Sequence, residues 1–186
     1  MDAGFLLNYT VLKSFYTFIF RVLDWKMIGS LPDLNKFILI VAPHTSNWDF
    51  PLGLLARGIM DRQIRYLGKK ELFRPPFGWI FRALGGYPVN RHKSQSMVDR
   101  VAEIFDEKDT FVLALAPEGT RSQVAIWRTG FYHIAVKAQV PIVMVGLDYS
   151  KREIRVLGLF NPTGNIETDM PVIQEQFRDC RGRNSK

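Results

Sequence analysis

Three short apolar runs, Phe37–Ala42, Phe111–Ala116 and Val140–Val145, constrain the fold more than any other feature of the chain. Each is about one strand long and apolar on both faces. A strand that is apolar on both faces must be covered on both, which is the condition of a parallel sheet with helices above and below it. Most of the chain between these runs reads as helix. Residues 94–107 place Met97, Val98, Val101, Ile104 and Phe105 at helical spacing, and 50–60, 77–84, 129–138 and 169–180 follow the same logic. Shorter strands are expected at 64–67 and 87–89, and 153–160 reads as an antiparallel neighbour. The expected fold is α/β: a mainly parallel central sheet flanked by helices on both faces.

In such sheets ligands bind beyond the carboxyl ends of the strands. Two of the runs deliver polar residues there. Phe37–Ala42 leads to His44-Thr45-Ser46-Asn47-Trp48-Asp49, and Phe111–Ala116 leads to Glu118-Gly119-Thr120-Arg121-Ser122. A neutral imidazole, with an ordinary pKa of about 6.5, is a base suited to neutral pH. It needs a carboxylate to fix its tautomer and to stabilise the imidazolium. A tight turn between His44 and Asp49 brings the two together, with Asp49 in the first turn of the next helix, where the dipole favours its charge. The plainer alternative makes Asp49 a helix cap and His44 a loop hydrogen-bonder. In the second stretch Gly119 lets a ligand approach the backbone, Thr120 and Ser122 can donate, and Arg121 can grip a phosphate through two parallel bonds. Glu118 can orient Arg121 or hold a substrate hydroxyl. Arg91 and Lys69 follow other short strands and add cations at the same edge. Each of these charges taken singly also fits an ordinary solvated surface.

Several chemistries are disfavoured. Three histidines without ligand spacing argue against zinc. The nucleophile-elbow and Walker patterns are absent, and the one cysteine, Cys180, lies near the tail. His92 sits in a charged turn and His133 within a helical pattern. A net charge of +7 favours anionic partners, and 14 phenylalanines suit a membrane surface better than a nucleic-acid groove.

Residues 4–25 form a helix with one polar stripe (Thr10, Lys13, Ser14, Thr17, Arg21, Asp24) and a wide apolar face carrying four phenylalanines. Lys13 and Arg21 argue against a span of roughly 20 uncharged residues, and no signal peptide is recognisable. A helix lying in the lipid interface and a helix packed on the sheet both fit, and both can hold at once. The organisation expected is one domain over 1–186, with 1–25 as the membrane-interface helix and 181–186 as a disordered tail.

Together these stretches resemble the glycerophospholipid acyltransferases, most closely the bacterial lysophosphatidate acyltransferases. The resemblance rests on four blocks in order: the His-x-x-x-x-Asp motif from His44 to Asp49, Gly86–Arg91, Glu118–Ser122 and Val140–Val143. Lys69–Phe73 and Pro76–Trp79 fit the same pattern, and Met144 departs from it where a second proline is common. The resemblance implies transfer of a fatty acyl group from an acyl-CoA or acyl-carrier-protein thioester to the hydroxyl of lysophosphatidate, giving phosphatidate, without an acyl-enzyme. It implies His44 as base and Asp49 as its orienting partner. Arg91 and Arg121, with Gly119 and Thr120, would hold the acceptor phosphate, supported by Glu118, and Lys69 is a further cation for that ligand. No cofactor is implied, and no nucleic acid. The partners would be the thioester, the lysophospholipid and the cytoplasmic face of a membrane, held peripherally. An acyltransferase for another acceptor, such as a lyso-amino-acid lipid, and a non-catalytic anionic-lipid-binding protein are the alternatives.

Overall fold

A computed structural model of the chain describes residues 3–60, 62–89, 94–120, 124 and 126–184. In chain order the elements are α1 (Ala3–Val22), β1 (Lys26–Ile28), β2 (Lys36–Ala42), α2 (Asp49–Met60), β3 (Ile64–Lys69), a 3-10 turn (Lys70–Phe73), α3 (Gly78–Ala83) and β4 (Gly86–Val89). They continue with α4 (Ser94–Glu107), β5 (Phe111–Leu115), α5 (Gly130–Ala138), β6 (Ile142–Asp148), β7 (Glu153–Phe160) and α6 (Ile166–Glu175).

The seven strands form one sheet in the order β1-β7-β6-β2-β5-β3-β4. Every neighbouring pair is parallel except β6 and β7. Thus β2, β3, β4, β5 and β6 all point one way, and their carboxyl ends share one rim. The pleat divides β2 between two cores. Ile38, Ile40 and Ala42 face Val101 and Phe105 of α4, Phe131, Tyr132 and Ile134 of α5, and Ile173 of α6. Phe37 and Leu39 face Phe20 of α1 and Leu52 and Ala56 of α2. Fully burying a side chain of this kind contributes about 1.5–3 kcal/mol, so the central strand stabilises both layers at once. The expected helix-covered, mainly parallel sheet is what forms.

The differences are local. β1 and the 3-10 turn have no counterpart in the sequence reading. Strand β3 runs two residues past 67, and α6 ends at Glu175 and begins earlier than 169, where Asn165 caps it by accepting the Glu167 amide proton. Helix α1 packs on the core through Phe20, while Phe15, Phe18 and Val22 remain exposed. Residues 181–184, expected as part of a loose tail, instead lie against the His44–Asp49 loop: Asn184 donates from its amide Nδ2 to the Thr45 carbonyl at 2.8 Å.

Candidate active site

His44 lies two residues beyond the carboxyl end of β2, and Asp49 opens α2. The turn between them closes on itself. His44 Nδ1 lies 2.9 Å from Asp49 Oδ2, and the Ser46 amide donates to the same oxygen at 2.9 Å. Trp48 N–H donates to Ser46 Oγ at 3.2 Å. The Asp49 side chain is 3% exposed and that of His44 is 23% exposed, so the imidazole reaches outward from a buried carboxylate. With Nδ1 committed to Asp49, Nε2 is the nitrogen left to accept a proton.

Burial pushes the Asp49 carboxyl up, but the hydrogen bonds from His44, Tyr149 and the Ser46 amide outweigh it and leave the group below the usual carboxylate value. Tyr149, one residue beyond β6, donates from its hydroxyl to Asp49 Oδ1 at 2.5 Å. Burial and the Asp49 carboxylate together push that phenol well above its ordinary range. Its ring stands edge-on to Trp25, with 4.9 Å between centroids.

Glu118 comes from the end of β5, the strand beside β2. Its Oε2 accepts the His44 backbone N–H at 2.6 Å, which ties the two loops together. Burial raises the Glu118 carboxyl; the His44 contacts oppose this and the nearby Asp49 charge adds to it, leaving a net rise. Glu118 therefore supports the His44–Asp49 loop itself. Gly119 adopts a φ of +66°, a conformation that favours glycine. Gly119 is exposed, and the Arg128 side chain occupies only the direction a Cβ would take. A Cβ there would fall 2.4 Å from Cδ of Arg128, whose side chain lies across the glycine. Thr120 is exposed beside it, and Lys69 is exposed where β3 ends, at the same rim. Arg91 and Arg121, like His92 and Ser122, lie outside the described residues. His133 is exposed on α5.

An apolar cavity of about 250 Å³ opens beside the dyad. It lies between α2 and the sheet, with His44 and Asp49 at one end. Leu39, Val41 and Leu147 form its floor, and Phe50, Gly53 and Met60 its helical wall. Arg57 also lines it, but its guanidinium donates to the Leu84 carbonyl at 2.6 Å and so pins α2 to the end of α3. The rim thus holds a base, a buried carboxylate that orients it and an apolar slot, an arrangement suited to removing a proton from a hydroxyl next to a hydrocarbon chain.

Residues 27–148 match the profile of the family described as Acyltransferase, which takes in the dyad, Glu118 and five of the seven strands from end to end. The chain belongs to the acyltransferase family. The 1-acyl-sn-glycerol-3-phosphate acyltransferase of Escherichia coli is 27% identical over 145 residues, covering 75% of this chain and 58% of the relative. That of Streptococcus pneumoniae is 28% identical over 146 residues, covering 72% of this chain and 54% of the relative. The chain therefore spans less than two thirds of the length of these curated relatives. The crystal structure of the 1-acyl-sn-glycerophosphate acyltransferase PlsC from Thermotoga maritima superposes with a TM-score of 0.62 at 22% identity, covering 90% of this chain and 75% of that one. At that identity the match speaks for the fold.

Sequence reasoning missed Tyr149, Arg128 and the cavity. Tyr149 had a usable signal, since it is a polar residue at the carboxyl end of a fully buried strand. Arg128 had none, because the strand that precedes it ends well upstream.

Proposed function

We propose that the protein transfers a fatty acyl group from a coenzyme A or acyl-carrier-protein thioester to the hydroxyl of 1-acylglycerol-3-phosphate, giving phosphatidate at the cytoplasmic face of a membrane. The observation that carries this reading is the His44–Asp49 pair opening onto an apolar cavity of about 250 Å³. The family and the names of the relatives support it.

In this reading the acyl chain enters the cavity, and its thioester carbonyl comes to rest near His44. The acceptor oxygen attacks that carbon while His44 Nε2 takes the hydroxyl proton. Asp49 stabilises the imidazolium, general-base assistance of this kind being worth about 10²–10⁴-fold. The tetrahedral intermediate collapses, the carbon–sulfur bond breaks, and the proton passes to the leaving thiolate. Charge and atoms balance without an acyl-enzyme and without a cofactor. Lys69, Arg91 and Arg121 hold the acceptor phosphate beside the Glu118–Thr120 loop, and Glu118 keeps that loop in register with the dyad.

Among the described residues, no helix is long and apolar enough to cross a membrane. The exposed Phe15, Phe18 and Val22 of α1 suit a helix that lies in the lipid interface while Phe20 holds it to the core.

The deciding experiment mixes the protein with an acyl thioester and a panel of acceptors and follows thiol release. Release that depends on lysophosphatidate is expected. Release with a lyso-amino-acid lipid alone would replace the acceptor, and none with any acceptor or donor would leave a lipid-binding protein.

A further inference from the structure

We propose that residues 180–184 form a strap that holds the catalytic loop in its working shape, with Asn184 as its positioning residue. These residues lie beyond the family match, which ends at 148.

The strap is rooted firmly. Cys180 packs so closely on β6 that a Cβ on Gly146 would fall 2.4 Å from its sulfur. The Tyr149 amide then donates to the Arg181 carbonyl at 2.8 Å. Beneath this point Asp148 is fully buried and accepts from the Ser150 amide and hydroxyl, which shapes the turn that presents Tyr149. The residue that anchors the strap through its backbone is thus the one that holds Asp49 through its hydroxyl.

From that root the chain crosses to the loop between His44 and Asp49. The Arg183 guanidinium stacks over the Trp48 ring at 5.3 Å. Asn184 donates from Nδ2 to the Thr45 carbonyl at 2.8 Å and from its backbone N–H to Thr45 Oγ1 at 3.3 Å. Thr45 is 2% exposed with Asn184 laid against it, so the strap covers the residue next to His44. The loop is therefore gripped next to its base, at the residue before its carboxylate and, through Tyr149, at the carboxylate itself. A misplaced catalytic group lowers turnover more than it weakens substrate binding.

The test compares the 186-residue chain with Asn184→Ala and Asn184→Asp, using hydrogen exchange read by mass spectrometry, thermal unfolding and acyl transfer. Losing the side-chain bond should speed exchange in the 44–49 peptide by about 3- to 10-fold. Helix α5 should be unchanged. Asn184→Asp, which sets a carboxylate against a carbonyl oxygen, should have the larger effect. The turnover number should fall by a similar factor while the acceptor KM stays within about twofold. Unchanged loop exchange in both variants would overturn the strap. So would equal acceleration in α5, which would make the tail a general stabiliser. The effect on turnover rests on the acyltransferase reading, whereas the effect on exchange does not. Faster loop exchange in a protein with no transfer activity would therefore sustain the strap and sink that reading.

Discussion

Tyr149 donates its hydroxyl proton to Asp49 across 2.5 Å, joining the end of β6 to the first turn of α2 over a hundred residues of chain. The bond lowers the Asp49 carboxyl, and its loss should raise it. Stability from a depressed carboxylate is present above its unfolded pKa and disappears as pH falls through the folded value. Tyr149→Phe should therefore destabilise the protein by about 1.5–3 kcal/mol at pH 7, the range for a hydrogen bond to a charged group. The gap should narrow under acid conditions where Asp49 is protonated. Thermal unfolding at the two pH values checks the sign. A kcat reduced at unchanged KM would show that the bond also serves the dyad.

In the proposed reaction, replacing His44 by Ala should reduce acyl transfer by about 10²–10⁴-fold, because it removes the proposed base. Asp49→Asn keeps the size of the side chain but loses the charge that steadies the imidazolium, and it should cost nearly as much. Residues acting as one unit are strongly non-additive. The double variant should therefore be little worse than His44→Ala, and full additivity would mean that the two groups act separately.

The dyad was legible because both members lie in one turn between a strand and a helix, and local spacing determines whether they can meet. The central strands were legible because a run apolar on both faces has few other homes. What escaped the sequence depends on parts of the chain far apart. Tyr149 stands at the end of an apolar run, but its partner Asp49 lies a hundred residues away and is found only once β6 is placed beside β2. The cavity belongs to no segment, since it is space left between α2 and the sheet. Residues 181–184 have the composition of a loose end, yet Asn184 meets Thr45 at a separation of 139 residues. Strand β1 is three residues long, with charged and apolar residues mixed, and it exists because β7 offers it an edge.

Glu118 gives a prediction of opposite sign. Burial raises its carboxyl above the ordinary value of 4.5, so the folded state binds its proton more tightly than the unfolded chain does. Its contribution falls as pH rises from the unfolded to the folded value. Glu118→Gln retains an oxygen to accept the His44 N–H without the charge. The variant should melt higher than the parent at pH 7, and the difference should close at pH values below about 4. A lower melting temperature at pH 7 would mean that the charged hydrogen bond outweighs the burial.

Phe15, Phe18 and Val22 are between 55% and 67% exposed, whereas Phe20 on the same helix is 3% exposed. Changing the three exposed residues to Ser should leave the melting temperature within about 6 °C, since each surface change of this kind rarely exceeds ~0.5 kcal/mol. Co-sedimentation with anionic vesicles should drop. Unchanged sedimentation would restrict α1 to its packing role.

Gly53 offers the most direct test of the cavity. It lies inside α2 and lines the slot, and a Cβ added there would meet nothing within 4 Å. Gly53→Ala should therefore stabilise the protein by about 0.5–1 kcal/mol through helix propensity alone, with little change in chain-length preference. Gly53→Phe would push a ring toward the apolar lumen. If the acyl chain lies there, the preferred thioester should become shorter, with kcat/KM for long chains falling and that for short chains retained. Comparing the two substitutions across a series of acyl thioesters separates filling the cavity from stiffening the helix. An equal loss at every chain length in Gly53→Phe would place the acyl chain elsewhere on the rim.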